Sequence, residues 1–239
     1  MSRRRPLRLA TLLGPNTVDD LGRIAAHLGG RGPEPIIVDL QTAAPGVADA
    51  VNNSGIDVLW ACGLLTAELV TGGLDLDVVA APVFAGETAA VYRSVIVTRS
   101  GGDAEGRRLA VNELGSWSGY RALFHDAVVR GDNRRHPDRM DEIVVTGAHI
   151  ASIAAVAQGR ADVAAIDHSI WNWLCATDPE VVDGLVVVDE TVDCPAPPLS
   201  LGPGIRGEDR LCVTEALLGF DGPPSLAPAS IDDYRFMLA

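Results

Sequence analysis

Three short stretches hold side chains whose types and spacing could do chemistry. The first is NELGSWSGYRALF (112–124). Ser116, Trp117, Ser118 and Gly119 stand there between a run of strand composition, RRLAVN (107–112), and a segment in which Tyr120, Leu123, Phe124, Ala127 and Val128 recur at helical spacing. A helix start directs free N–H groups and the positive end of its dipole outward, and neighbouring hydroxyls add neutral donors, so the place suits an anion. Ser116 or Ser118 could equally serve only as an N-cap. The second stretch, TGAH (146–149), puts Thr146, Gly147 and His149 between a strand and a helix running through Val156. The His149 imidazole could donate to an oxyanion, with affinity then rising as pH falls through about 6.5, or it could cap the turn. The third is the end of ADVAAID (161–167), where Asp167 either faces an amine on a ligand or caps the helix that opens at His168.

Further candidates lie nearer the start. WACG (60–63) closes a strand and brings Trp60, Cys62 and Gly63 to its carboxyl end, with core packing the simpler reading for Trp60. Asn16 follows Gly14 and Pro15 at the end of the first strand, where it and Thr17 could supply donors at another helix start. Tyr92 stands where one run of elements gives way to the next, a place that suits packing at a hinge.

Composition narrows the chemistry. The 239 residues carry a net charge of −13, and all 19 basic residues are arginine. An acidic chain lacks the basic stripe that displaces counterions from a nucleic acid, and RGDNRRHPDR (130–139) interleaves its arginines with aspartates. Without lysine there is no Walker lysine for a nucleotide phosphate and no Schiff base with a carbonyl or pyridoxal cofactor. Four scattered cysteines, Cys62, Cys175, Cys194 and Cys212, form no metal-binding or redox pair, so no metal and no cofactor are expected. The arginines and apolar run at 3–13 are read as the entry to a first strand, not as an export signal, and no run approaches a membrane span. A cytoplasmic protein without membrane insertion is the expectation.

The elements that must position these residues alternate almost throughout. LRLATLL, EPIIVDL, IDVLWACG and LDVVAAPVF are separated by helical segments; YRSVIVTRS, RRLAVN, DEIVVTG, ADVAAID and LVVVDET form a second series. Such alternation means an α/β protein with largely parallel sheets, whose ligands gather at the carboxyl ends of strands. The pattern breaks at GETAAVY and again in DCPAPPLSLGPG, which places two chain crossings there. The expected division is a discontinuous first lobe, 1–88 with 192–239, and an inserted second lobe, 89–191, carrying the SWSG and TGAH turns, with a hinged cleft between.

YRSVIVTRSG, RRLAVNELGSWSGYRAL and VTGAHIASIAAVAQGRADVAAIDHSIW together resemble the phosphonate- and phosphate-binding subunits of ABC importers, a branch of the type 2 periplasmic binding proteins. The likeness is fullest over 92–171; PASIDDYRFM (228–237) looks like the family's closing helix. It implies two α/β lobes, each a mainly parallel sheet flanked by helices, around a small tetrahedral anion. Ser116, Trp117, Ser118 and Gly119 would hold that anion together with Thr146, Gly147 and His149. Asp167, Tyr92, Trp60, Cys62, Gly63 and Asn16 complete the expected lining. Trp117 and Ala148 replace hydroxyl donors of relatives. His168 and Ser169 stand where aminophosphonate-binding relatives carry a carboxylate, which argues against an aminophosphonate.

The leading expectation is a soluble solute-binding protein for a small phosphate- or phosphonate-like oxyanion, with a transporter partner disfavoured by the lack of an export signal. The alternative is a cytosolic biosynthetic enzyme of lyase or dehydratase type on the same scaffold. Its groups would be His149 or His168 as acid or base, Asp167 as base or orienter and Cys62 as nucleophile.

Overall fold

In the computed structural model, which describes residues 5–30, 33–40, 46–102, 107–134 and 136–239, the chain divides into two units, each built on its own sheet. The first contains the described residues up to Val91 together with Pro195–Ala239; the second is Tyr92–Cys194. The crossings therefore fall three residues beyond the expected 88/89 and 191/192.

Along the chain the first unit contributes β1 (Arg8–Thr11), α1 (Val18–Gly29), β2 (Ile36–Ile37), α2 (Val47–Ser54), β3 (Val58–Trp60), α3 (Gly63–Thr71) and β4 (Asp77–Val83). After the short strand β5 (Val91–Tyr92), the second unit contains β6 (Ser94–Arg99), β7 (Arg108–Val111), a π-helical turn (Trp117–Arg121) leading into α4 (Ala122–Arg130), β8 (Glu142–Val145), α5 (His149–Ala157), β9 (Val163–Asp167), α6 (His168–Thr177) and β10 (Leu185–Glu190). β11 (Cys194–Pro195) leads back to β12 (Leu199–Leu201), α7 (Glu208–Leu218) and β13 (Ser225–Pro228). The expected closing helix is two short 3-10 turns, Ile231–Asp233 and Arg235–Leu238.

Six strands form the first sheet in the order β13-β4-β12-β3-β1-β2. β1, β2 and β3 run parallel, while β12 is inserted antiparallel between β3 and β4. Alternate residues of one strand feed opposite cores, as the two-residue period of a strand requires. Leu9, Val58 and Trp60 meet Leu21, Ile24 and Leu28 of α1 and Val213 and Leu217 of α7; Ala10 and Leu59 meet Val47 and Val51 of α2. Burying each such aliphatic side chain stabilises the fold by about 1.5–3 kcal/mol.

Five strands form the second sheet in the order β10-β6-β9-β7-β8. β9, β7 and β8 are parallel and β6 runs against both its neighbours. Val95, Val97 and Ile166 pack beneath Ile153 of α5 and Leu174 of α6; Ile96, Leu109 and Val163 pack against Leu123 of α4. Because β7, β8 and β9 point the same way, Val111, Val145 and Asp167 end at one edge of the sheet, and the three helical starts that follow them open there. The antiparallel β6 begins at that edge with Ser94, paired in register with Asp167.

Candidate functional site

Ser116, the N-cap of the π-helical turn, accepts the Gly119 N–H on its hydroxyl at 3.1 Å, so its side chain closes the turn. Ser118 points elsewhere. Its hydroxyl lies 3.1 Å from Nε2 of His149, the first residue of α5, and the two residues are only 6% and 9% exposed. The contact joins the helical starts that follow β7 and β8. Burial holds the His149 imidazole below the ordinary histidine value, opposed by the negative charge of Asp167 and by the Ala165 carbonyl. A neutral ring leaves one N–H to donate. With the donor at Nε2, the Ser118 hydroxyl is free to donate onward.

Gly119 is fixed by a neighbour. A Cβ at that position would lie 1.7 Å from Oδ1 of Asn112 and 3.2 Å from Cε1 of His149, so the Asn112 carboxamide occupies the space beside the turn. Its Oδ1 is buried with no hydrogen-bond partner among the described residues. Trp117, 4% exposed, turns inward with its ring 5.5 Å from that of His125. Nearby in the same unit, burial pushes the Cys194 thiol up to about 11.

In the TGAH stretch the Thr146 hydroxyl donates to the Val111 carbonyl at 3.0 Å and lies 2.7 Å from the Ser152 hydroxyl, which ties it to α5. Gly147 adopts φ +88°, the left-handed region that favours glycine, and its N–H donates to the Asn112 carbonyl at 2.8 Å. Asp167 caps α6: Oδ1 accepts the Ser169 N–H at 2.8 Å and the Ser169 hydroxyl at 2.7 Å. Nδ1 of His168 accepts the Arg93 N–H at 3.4 Å, and its ring lies 6.5 Å from that of the buried Tyr92. The second unit thus brings together Ser118, Gly119 and His149, with Asp167 near enough to act on the histidine electrostatically.

The remaining candidates belong to the first unit. Trp60 is fully buried and donates Nε1–H to the Pro197 carbonyl at 2.9 Å, which is the packing role. Cys62 is a half-buried cysteine at the N-cap of α3, and Asn16 lies in the 3-10 turn Pro15–Thr17. Gly63 leaves room for an aromatic ring: an added Cβ would meet Cδ1 of Tyr234 at 2.5 Å. Tyr234 is itself fully buried, its hydroxyl donating to the Ala196 carbonyl at 2.6 Å.

Sequence reasoning missed three residues of this region. The buried Ser94 donates its hydroxyl to the Ser118 carbonyl at 2.6 Å and its N–H to Oγ1 of Thr191 at 2.9 Å, and Asn112 fills the space beside Gly119. Ser94 opens β6 ahead of Val95, Ile96 and Val97, and no local feature of the sequence marks it.

The family model for the phosphonate periplasmic substrate-binding protein of ABC transporters matches residues 14–236. Among curated proteins none matches. Among solved structures, PhnD1 from Prochlorococcus marinus in complex with methylphosphonate is similar at 13% identity and a TM-score of 0.74, over 99% of this chain and 97% of that one. A binding-protein component of an ABC phosphonate transporter from Pseudomonas aeruginosa is similar at 14% identity and a TM-score of 0.71, over 96% of this chain and 83% of that one. An ATP-bound protein of Xanthomonas citri follows at 14% identity and a TM-score of 0.64, covering 97% and 94%. At these identities the structures establish the fold, the two-lobed fold of periplasmic binding proteins.

Proposed function

The chain belongs to the phosphonate substrate-binding family of ABC-transporter proteins, and from that premise we propose that it binds a small phosphonate or phosphate at the turn joining Ser118 to His149. The observation that carries this reading is the 3.1 Å contact between the Ser118 hydroxyl and His149 Nε2, at a sheet edge where three helical starts open. Each helical start turns a positive dipole end toward that edge, and with His149 Nε2–H donating to it the Ser118 hydroxyl adds a neutral donor. Neutral donors on rigid elements stabilise an oxyanion without an ion pair, in keeping with a chain that has no lysine.

Methylphosphonate, the ligand of the Prochlorococcus relative, is the natural first probe because it presents the tetrahedral group with no amine. Asp167 Oδ1 is engaged by Ser169, which supports a ligand that asks for no carboxylate partner. Delivery of that ligand to an ABC importer is the role that family membership supports. The lyase reading gains no support from the geometry: Cys62 belongs to the other unit, and the Asp167 carboxylate caps α6.

Titration calorimetry of the full chain with methylphosphonate, phosphate, sulfate and acetate tests the proposal. Saturable heat with methylphosphonate or phosphate at micromolar affinity, about −8 kcal/mol, is the expected result. Equal, weak responses to all four would contradict it.

A further inference from the structure

We propose that Ser94 is a positioning residue for the oxyanion turn, acting through the Ser118–Gly119 peptide; the proposal rests on the reading of that turn as the phosphonate site. The peptide unit is planar, so holding its two polar ends holds the plane. Its carbonyl, on Ser118, accepts the Ser94 hydroxyl at 2.6 Å, and its N–H, on Gly119, donates to the Ser116 hydroxyl at 3.1 Å. That plane fixes the exit direction of the Ser118 side chain toward His149.

The turn needs such a clamp because its hydrogen bonding is π-helical. Arg121 N–H reaches back to the Ser116 carbonyl at 3.0 Å and Ala122 N–H to the Trp117 carbonyl, spans of five residues. The wider spacing is rarer than α-helical bonding and recurs at functional sites. A buried carbonyl left unpaired destabilises the conformation that exposes it, and the Ser94 hydroxyl supplies the donor. Ser94 is itself held on two sides. It is 1% exposed, its N–H donates to Thr191 Oγ1 at 2.9 Å, its carbonyl accepts the Thr191 N–H at 2.9 Å, and it pairs in register with Asp167. The chain Thr191–Ser94–Ser118 thus ties the turn to the sheet, with no atom of Ser94 required to touch the ligand.

Ser94→Ala removes the hydroxyl and leaves both backbone bonds to Thr191 in place. Methylphosphonate affinity, by calorimetry, is expected to fall about fivefold. In the ligand-free protein the His149 ring resonances are expected to move in the same direction as in Ser118→Ala, and Ser94→Thr, which keeps the hydroxyl, restores both readouts. The double variant Ser94→Ala/Ser118→Ala is expected to bind no more weakly than Ser118→Ala alone, because the two act through one group. A Ser94→Ala protein with a lowered melting temperature but wild-type affinity and His149 resonances would overturn the proposal and leave Ser94 as a core residue. Failure of the parent protein to bind methylphosphonate or phosphate would instead defeat the oxyanion reading. The ligand-free His149 resonances would then still decide the clamp: movement in Ser94→Ala supports it, and no movement overturns it.

Discussion

The hydroxyl of Ser118 and Nε2 of His149 stand 3.1 Å apart, joining a π-helical turn after β7 to the first residue of α5 after β8. Two residues 31 positions apart in sequence thereby share one corner of the second sheet. Ser116, two residues away from Ser118, has no part in that contact, because its hydroxyl is spent on Gly119 N–H.

The two serines should therefore respond oppositely. Ser116→Ala loses a cap and is expected to cost about 1 kcal/mol of stability with methylphosphonate affinity nearly unchanged. Ser118→Ala loses the hydroxyl proposed to hold the anion and is expected to cost roughly 10- to 100-fold in affinity, as for a hydrogen bond to a charged group. Urea unfolding and calorimetry on both variants separate the roles.

Gly119→Ala places a methyl where Asn112 Oδ1 now lies, at 1.7 Å from the ideal Cβ position. The carboxamide must swing away or the turn must open, so a loss of about 1–3 kcal/mol in stability is expected, as for overpacking. Asn112→Ala in the same chain makes room and is expected to recover most of that loss, which thermal unfolding measures.

Burial keeps the His149 proton affinity low in the folded chain, so protonation favours the unfolded state. The stability this histidine contributes is full above the unfolded value of about 6.5 and declines as pH falls below it, levelling off beneath the depressed folded value. A bound anion acts in the opposite sense, raising the ring's proton affinity and drawing in a proton below pH 6.5 (roughly). Methylphosphonate affinity should accordingly rise on acidification, at a lower pH than an ordinary histidine would give. His149→Gln is expected to flatten that rise in calorimetry repeated across pH.

Gly63 offers a control in the first unit. Its Cβ would meet the ring of Tyr234 at 2.5 Å and the sulfur of Met237 at 3.1 Å. Gly63→Ala is expected to destabilise by about 1–3 kcal/mol through overpacking. A melting-temperature drop without a change in the chemical shifts of Ser118 and His149 is the expected pattern.

How much of this was legible in the sequence depends on the range of the interaction. Apolar strands alternating with helices are local patterns, and they placed β7, α4, β8, α5, β9 and α6 in the right order around SWSG and TGAH. Strand direction is not local. The runs that became β6 and β10 read the same in either sense, and β6 is antiparallel to both β9 and β10. EPIIVDL promised a full strand but its pairing in the sheet is confined to Ile36–Ile37. Side-chain direction was equally hidden: Trp60 and Trp117 sit beside candidate turns yet both rings are buried. The side chains beside two glycines were hidden as well: Tyr234 crowds Gly63 from near the far end of the chain, and Asn112, just after β7, fills the space beside Gly119. Ser94 went unnoticed because a lone hydroxyl in a strand discloses nothing until the carbonyl it serves, 24 residues on, is seen beside it.

The central claim, that a phosphonate is held where Ser118 meets His149, is tested most directly by following backbone amide and histidine ring resonances during a methylphosphonate titration. The account predicts that the Ser118 and Gly119 amides and the His149 ring shift together, saturably and with one dissociation constant. Saturable binding that moves other resonances while leaving those three groups at their ligand-free positions would contradict it.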